Sequence, residues 1–245
     1  MLRQPFIYLV IVLDTIVSAI LALIFGIVNP YSRTTSGLIR LWARIILMAA
    51  GIKVEVSGKE NLQPQQSYVL VANHQSYMDI PVLAGSLPLG LRIIAKKELF
   101  RIPLFGWGMR GAGMLKIDRS HRKKAMETLR EAELILRKYH LSILAFPEGT
   151  RSPDGQIHLF KKGPFILAIN TGLPVLPVSA TGTHSINPKG KLTIKPGKVR
   201  LIIHPPIPTA EMELAERNEL VARTQKIITE GFLENDEEIF QPDHH

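Results

Sequence analysis

The sequence of 245 residues contains no cysteine. This absence excludes disulfide bonds, cysteine nucleophiles and metal sites built from thiolates. The sequence also lacks the G-x-S-x-G elbow, the phosphate-binding P-loop and the H-E-x-x-H zinc motif. The serine hydrolases, P-loop NTPases and zinc proteases that depend on these motifs are therefore not supported. His74, Asp79 and His158 are the conceivable metal ligands. Because they include no histidine pair at i, i+4 spacing, we predict no metal site.

Charge is almost absent from the first part of the chain. Asp14 is the only charged residue between Phe6 and Val28. As an α-helix these 23 residues would extend roughly 34 Å, enough to cross the hydrocarbon core of a bilayer. The run is too long for a secretory signal peptide and no small-x-small cleavage site follows it. A carboxylate near the middle of a spanning helix costs roughly 2.5–3.5 kcal/mol, so Asp14 argues against a simple span.

A second apolar segment follows at 38–52, with Arg40 and Arg44 one helical turn apart. This pattern is typical of a helix that lies in the membrane interface. We predict that residues 1–50 form an N-terminal two-helix membrane anchor that dips into one leaflet, with Asp14 near these arginines or the lipid headgroups. Two alternatives stay open. The first helix spans the bilayer and the basic residues after it hold the main domain on the cytoplasmic side, or the two helices form a buried hairpin in a soluble protein.

Residues 51–245 carry the pattern of one α/β domain. Short β-branched and apolar runs alternate with amphipathic helical stretches. We expect a sheet covered by helices on both faces, with a functional site at the carboxyl ends of the strands. A Pro-Gly pair inside 191–203 predicts a β-hairpin. The main candidate strands are 53–56, 67–72, 91–95, 114–117, 141–146 and 175–180, and the candidate helices include 121–139, 165–170 and 211–233.

The segment 106-GWGMRG-111 has the spacing of a dinucleotide-binding fingerprint. That fingerprint needs a strand before it and a helix after it. Here Pro103 precedes the segment and the strand-like AGMLKID follows it. We therefore reject dinucleotide binding and expect a glycine-rich loop that lets chains pack closely or lets a substrate chain pass.

The segment 73-NHQSYMDI-80 places His74 and Asp79 directly after a buried strand. Residues five apart do not share a face of a regular helix. The two side chains can meet only if His74 lies on the turn and Asp79 in the first helical turn, and Pro81 fits such a helix start. A capping aspartate beside an ordinary strand-end histidine is the alternative.

A second polar segment, 146-FPEGTRS-152, also follows an apolar strand. It offers backbone N–H groups exposed by a glycine, a hydroxyl and a guanidinium, which are the parts needed to hold a phosphate dianion. The formal net charge of +9 also favours a phosphate-bearing or anionic partner, although single basic clusters can equally be solvated surface.

The chain resembles the glycerolipid acyltransferase family, in particular the 1-acyl-sn-glycerol-3-phosphate (lysophosphatidic acid) acyltransferases. The resemblance covers roughly residues 50 to 205, in four blocks that follow the order of the family. The blocks are 73-NHQSYMD-79, 96-KKELFRIPLFG-106 with 113-GMLKIDRS-120, 146-FPEGTRS-152 and 175-VLPVSATG-182. It implies an α/β domain with a central mixed sheet flanked by helices.

The same resemblance implies a reaction and its residues. A fatty acyl group would pass from acyl-CoA or acyl-carrier protein to the sn-2 hydroxyl of lysophosphatidic acid, giving phosphatidic acid, without an acyl-enzyme, a metal or a cofactor. His74 would be the general base, and Asp79 would orient it. Glu148, Gly149, Thr150 and Arg151 would bind the substrate phosphate, and weaker candidates for phosphate or carrier contacts are Lys96, Arg101 and Arg119.

The implied partners are the bilayer, lysophosphatidic acid and an acidic acyl donor, with no nucleic acid. The implied location is the cytoplasmic face of the cell membrane. A glycerol-3-phosphate or other lysophospholipid acyltransferase, and a non-catalytic binder of lipid phosphate at the membrane surface, remain as alternatives. Apolar residues within 99–108 are expected either to line an acyl-chain groove or to pack in the core.

Overall fold

The computed structural model describes residues 3–117, 127, 132, 134–136 and 138–240. Its strands are β1 (Ile52–Ser57), β2 (Val69–Ala72), β3 (Leu91–Lys96), β4 (Leu115–Ile117), β5 (Ser142–Ala145), β6 (Val175–Thr181) and β7 (Gly197–Ile203). Its α-helices are α1 (Arg3–Val28), α2 (Arg33–Ala50), α3 (Asp79–Ser86), α4 (Phe105–Gly111), α5 (Gly163–Thr171), α6 (Thr183–Ile186) and α7 (Arg217–Phe240). The predicted helix at 121–139 lies largely outside the described residues.

The strands form one mixed sheet, which confirms the predicted α/β architecture. The order across the sheet is β1-β7-β6-β2-β5-β3-β4. The five strands from β6 to β4 run parallel to one another, whereas β7 pairs antiparallel with β6 and parallel with β1. The carboxyl ends of the five parallel strands therefore share one edge of the sheet.

The β-hairpin predicted within 191–203 is wrong. Only its second half is a strand, β7, which pairs with β1 and β6. The first half makes other hydrogen bonds: Ile194 N–H donates to Gln4 Oε1, and Lys195 N–H donates to Ile186 O. Pro196 also lacks the N–H that a strand ladder needs.

Alternate side chains of the central strands enter two cores on opposite faces of the sheet. Leu70 of β2 packs with residues of α3, whereas Val71 packs with residues of α5. The chain leaves β2 through α3 towards β3, and it leaves β5 through α5 towards β6. The carboxyl ends of β2 and β5 thus form the point where the connections diverge, which is where open α/β sheets bind ligands.

Helix α1 is the candidate membrane anchor, and this corrects the predicted two-helix anchor to one helix. Among the described residues, α1 alone is long and apolar enough to cross a membrane. One side of it is exposed along its whole length, from Phe6 at 59% to Val28 at 88%. The apolar stripe of α2, by contrast, is buried against the domain; its Ile46 and Leu47 join the core on the α3 face.

Asp14 does not pair with the arginines of α2. Its Oδ1 accepts a hydrogen bond from Ser18 Oγ at 3.4 Å. Arg40 Nη2 donates to Leu89 O, and Arg44 Nε donates to Gly85 O. The arginines instead bond α2 to the last turn of α3, at Gly85, and to the loop that follows it, at Leu89.

Helix α4 occupies the segment that was expected to be a glycine-rich loop, so that expectation is wrong. The close packing expected of its glycines is confirmed. A Cβ on Gly111 would lie 2.4 Å from Ala22 O, and one on Gly108 would lie 2.5 Å from Ala19 Cβ. The glycines therefore let α1 and α4 approach more closely than any side chain would allow.

Candidate active site

His74 and Asp79 form a contact at the carboxyl end of β2. His74 lies in the loop after the strand, and Asp79 is the first residue of α3. The His74 Nδ1 atom lies 2.8 Å from Asp79 Oδ2. The geometry predicted from their spacing is therefore present.

Asp79 fixes the orientation of the imidazole. Its side chain is completely buried, and its Oδ2 also accepts the backbone N–H groups of Gln75 at 2.7 Å and Ser76 at 2.8 Å. Because a carboxylate bonded in this way only accepts, Nδ1 of His74 carries the proton. The Nε2 atom then holds the lone pair, and the His74 side chain is 16% exposed, so this nitrogen is the basic atom of the pair.

The loop after β5 holds His74 from the other side. The Phe146 ring stacks on the imidazole with centroids 4.0 Å apart and an interplanar angle of 15°. The Ser152 N–H donates to His74 O at 2.7 Å. These contacts join the two polar segments found in the sequence into one site.

The side chain of Glu148 connects the two segments, while the phosphate role predicted for Glu148 stays a prediction. It is 5% exposed, its Oε1 accepts the N–H of His74 at 2.7 Å, and its Oε2 accepts the N–H of His158 at 3.2 Å. A carboxylate whose oxygens face inward is not available to an anion, and its charge would repel one. Burial raises the pKa of Glu148, although its two backbone N–H donors lower it in part.

Arg151 presents a guanidinium beside the catalytic pair. Its Cζ lies 3.4 Å from the centroid of the Tyr77 ring, a cation–π contact. Its Nη1 is buried and has no hydrogen-bond partner among the described residues. The neighbouring residue Ser152 donates its N–H to His74 O, so the backbone of Arg151 lies next to His74, and its guanidinium keeps an unpaired donor.

The turn at Gly149 shapes the loop. Gly149 has φ of 77°, and a Cβ there would lie 2.7 Å from Lys161 Nζ. Its N–H donates to Phe146 O at 3.0 Å, and phosphate binding by the backbone of this loop stays a prediction. The exposed hydroxyl of Thr150 remains at the surface of the site.

Lys189 is a site residue that the sequence reasoning missed. Its Nζ donates to Thr150 Oγ1 at 3.2 Å and to Arg151 O at 2.9 Å. It belongs to a Pro-Lys-Gly turn in the connection between β6 and β7. The one available signal was topological, because β6 lies parallel to β2 and next to it, so the connection that leaves β6 begins near His74.

The remaining predicted phosphate contacts are less defined. Lys96 ends β3, a strand parallel to β5, and thus lies at the same edge of the sheet as His74. Arg101 is exposed and lies in the short 3-10 helix that follows. Arg119 lies outside the described residues, and no contact between Arg101 and Arg151 is present among the described residues.

An apolar cavity of about 160 Å³ begins beside the pair, since Ile80 forms part of its wall. It runs between α1, α2, α4 and β3, and its lining includes Trp42, Leu99, Phe105 and Met109. Phe100 packs in the core, whereas Ile102 and Trp107 are exposed. Residues of the segment 99–108 thus lie in the core, at the surface and in the cavity wall, and acyl-chain binding by this segment stays a prediction.

Within the described part of the chain, no cluster of three or more His, Cys, Asp or Glu side chains could hold a metal ion. The arrangement places the unprotonated nitrogen of His74 and a guanidinium with an unpaired donor beside an apolar cavity.

Comparison with known proteins agrees with this arrangement. The acyltransferase family model matches residues 53–181. A chloroplastic 1-acyl-sn-glycerol-3-phosphate acyltransferase of Arabidopsis thaliana is 39% identical over 182 residues, which cover 73% of this chain and 50% of that protein. The 1-acyl-sn-glycerol-3-phosphate acyltransferase of Pseudomonas aeruginosa is 32% identical over 228 residues, covering 89% of this chain and 88% of that protein.

The chain spans about half the length of the chloroplastic plant relatives that it matches, 50% for Arabidopsis thaliana and 56% for Brassica napus. A solved structure matches nearly all of it. The crystal structure of PlsC, the 1-acyl-sn-glycerophosphate (LPA) acyltransferase of Thermotoga maritima, superposes with a TM-score of 0.81 at 32% identity, covering 96% of this chain and 95% of that chain. The chain belongs to the acyltransferase family that includes the 1-acyl-sn-glycerol-3-phosphate acyltransferases.

Proposed function

We propose that the protein transfers a fatty acyl group from acyl-CoA or acyl-carrier protein to the sn-2 hydroxyl of 1-acyl-sn-glycerol 3-phosphate. The product is phosphatidic acid. The observation that carries this proposal is the His74–Asp79 pair, with a basic nitrogen directed away from the carboxylate, next to a guanidinium with an unused donor. A lipid acceptor that carries both a hydroxyl and a phosphate requires a base for the hydroxyl and a cation for the phosphate, and the site has a candidate for each.

In the proposed mechanism the hydroxyl oxygen attacks the thioester carbonyl while His74 Nε2 takes the hydroxyl proton. The C–S bond breaks as the ester forms, and the leaving thiolate takes the proton from the imidazolium. Asp79 stabilises that imidazolium through Nδ1, as in a serine protease triad without the serine. Atoms and charges balance without a metal, a cofactor or a covalent enzyme intermediate.

Ser76 supports direct transfer. Its hydroxyl donates to Asn187 O at 2.8 Å and accepts the N–H of Met78 at 3.1 Å. A hydroxyl engaged in this way stabilises the turn and is poorly placed to act as a nucleophile. In this proposal the acyl group therefore passes directly to the acceptor, without a covalent intermediate on Ser76.

The acceptor phosphate binds to Arg151 in this proposal, with Thr150 and Lys189 at the rim. Lys96, Arg101 and Arg119 remain proposed contacts for the phosphate or for the acidic donor. The apolar cavity beside Ile80 takes part of an acyl chain. Its almost wholly apolar walls favour hydrocarbon over water.

The membrane is proposed as the place of the reaction. The exposed apolar side of α1 would lie in one leaflet at the cytoplasmic face, where the soluble acyl donors are, with Asp14 near the headgroups. This arrangement lets lipid acceptor and product enter and leave without crossing water.

The purified full-length protein tests the proposal when it is given lysophosphatidic acid and labelled acyl-CoA or acyl-carrier protein. Label is expected in phosphatidic acid and not on the protein. A panel with glycerol 3-phosphate and lysophosphatidylcholine as acceptors separates the related acyltransferases. Binding of lysophosphatidic acid without transfer to any acceptor would favour the non-catalytic binder and overturn the proposal.

A further inference from the structure

A wide hollow of about 860 Å³ opens at the end of the sheet opposite the catalytic pair. Gln66, Gly90 and Ser142 line it, and they stand just before β2, just before β3 and at the start of β5. His74 and Phe146 follow β2 and β5 at the other end. The hollow is therefore separate from the site described above.

The lining of this hollow is basic. It includes Arg33, Arg40, Lys59 and His140, and no aspartate or glutamate is present among its described lining residues. Ser36 and three glutamines add neutral hydrogen-bonding groups. A concave surface with cations and no acid concentrates anions. We refer to it as the basic hollow.

Two arginines, Arg40 in the lining of the basic hollow and Arg92 buried behind Ser36, retain unused donors. Arg40 Nε is buried and unpartnered, while its Nη2 makes a long 3.4 Å hydrogen bond to Leu89 O. Arg92 is 1% exposed, and it donates to Ser36 Oγ at 3.1 Å, to Leu91 O and to Pro30 O. Its Nε has no hydrogen-bond partner among the described residues either.

Arg92 thus places a positive charge behind Ser36 with carbonyl and hydroxyl oxygens as its only acceptors in the described structure. Burial lowers the pKa of Arg92 to about 10. A buried guanidinium without a carboxylate costs free energy, which an anion in front of Ser36 would reduce. The amino end of α2, which begins at Arg33, adds its helix dipole with the same sign.

The position of the basic hollow identifies the class of anion. Its lining begins at Tyr31, and the preceding residues Ile27 and Val28 are 85% and 88% exposed at the end of α1. A lipid whose chains lie along the apolar side of α1 would bring its headgroup to this point. We infer that the basic hollow binds a phosphate ester of the kind carried by anionic phospholipid headgroups, and so forms a second lipid contact away from the catalytic pair.

Calorimetric titration of the full-length protein in neutral detergent tests this inference. The probe is dihexanoyl phosphatidylglycerol, a phosphodiester with no free phosphate monoester. The double variant Arg33→Gln/Lys59→Gln removes two exposed cations of the hollow. Its matched control, Lys53→Gln/Lys198→Gln, removes two exposed cations from β1 and β7.

The hollow variant is expected to bind the probe about tenfold more weakly than wild type, because it loses charge-assisted contacts to the phosphate. The control should bind within about twofold of wild type, since surface charges outside a site act weakly. Unchanged affinity in the hollow variant, equal weakening in both variants, or no binding by wild type would overturn the inference. Melting temperatures show whether the variants remain folded.

A second titration separates the sources of the phosphate group. If inorganic phosphate binds at least about tenfold more weakly than the lipid, the headgroup assignment is supported. Equal affinity for inorganic phosphate, lost in the hollow variant, would keep the anion site but overturn its assignment to lipid.

Discussion

His74 is held on three sides before any substrate arrives. Asp79 fixes Nδ1, the Phe146 ring covers one face, and Glu148 binds the backbone N–H. Such positioning lowers the entropic cost of reaching a reactive geometry. At the scale of single residues, the fold therefore fixes His74 through three neighbouring side chains.

Arg151 is predicted to act on binding of the acceptor. Arg151→Ala removes the guanidinium whose Nη1 has no partner in the described structure. Loss of charge-assisted hydrogen bonds worth about 1.5–3 kcal/mol raises the KM for lysophosphatidic acid roughly 10- to 100-fold. The KM for the acyl donor should change little. Steady-state kinetics with each substrate varied in turn measures both, and an unchanged acceptor KM would rule out the phosphate role.

Lys189 is predicted to position the same loop. Lys189→Ala removes its hydrogen bonds to Thr150 and to Arg151 O and should raise the acceptor KM by about two- to fivefold with little change in kcat. Lys191→Ala, an exposed lysine of the same connection, is the control and should behave as wild type. Equal KM values for the two variants would show that Lys189 has no special role.

Glu148 is predicted to link pH to stability. Its raised pKa means that the folded protein binds the proton more tightly than the unfolded chain. The stabilisation from this group is fully present below the ordinary glutamate pKa of 4.5 and is lost as the pH rises through the raised folded value. Glu148→Gln cannot titrate and loses one acceptor, at a cost of about 1–3 kcal/mol.

The test for Glu148 is therefore a comparison of two pH curves. The melting temperature of wild type should exceed that of Glu148→Gln, and the gap should narrow as the pH rises from about 4.5 towards neutrality. If the two curves of melting temperature against pH run parallel, the titration of Glu148 does not contribute to the pH dependence of stability.

At the scale of elements, the contact between α1 and α4 depends on glycine. Gly111→Ala would place a Cβ 2.4 Å from Ala22 O, and it is expected to lower stability by about 1–3 kcal/mol as overpacking does. Gly37→Ala in α2 is the matched control, because its Cβ would meet nothing within 4 Å. It should be neutral or stabilising by about 0.5–1 kcal/mol. Thermal melts compare the stability of the two variants. A loss of stability in both variants, or in neither, would contradict the role of close packing between α1 and α4.

Elements differ in how well the sequence predicts them. The apolar runs of β2, β5 and β6 are specified by local pattern, and the spacing of His74 and Asp79 was enough to predict a loop followed by a helix start. The pairing of β7 and the helical state of α4 depend instead on distant partners, Gln4 for the segment before β7 and Ala22 for α4. The hydrogen bonds of Glu148 could not be predicted for the same reason, since its partners are N–H groups of residues that only the fold brings near.

At the scale of the whole molecule, three surfaces have separate positions. The catalytic pair lies at the carboxyl edge of the parallel strands, the basic hollow lies at their amino ends, and the exposed apolar side of α1 extends from Phe6 to Val28. Helix α1 also contributes Ala19 and Ala22 to the wall of the apolar cavity beside Ile80, so this helix adjoins that cavity.

The role of His74 is tested most directly by the rate of acyl transfer to lysophosphatidic acid in His74→Ala. His158→Ala is the matched control, because His158 is exposed and pairs with Asp154, while its backbone N–H to Glu148 is retained. We predict that His74→Ala loses roughly 10²- to 10⁴-fold in kcat while its melting temperature stays near that of wild type, and that His158→Ala stays close to wild type in rate. Full transfer by folded His74→Ala protein would contradict the assignment of His74 as the base.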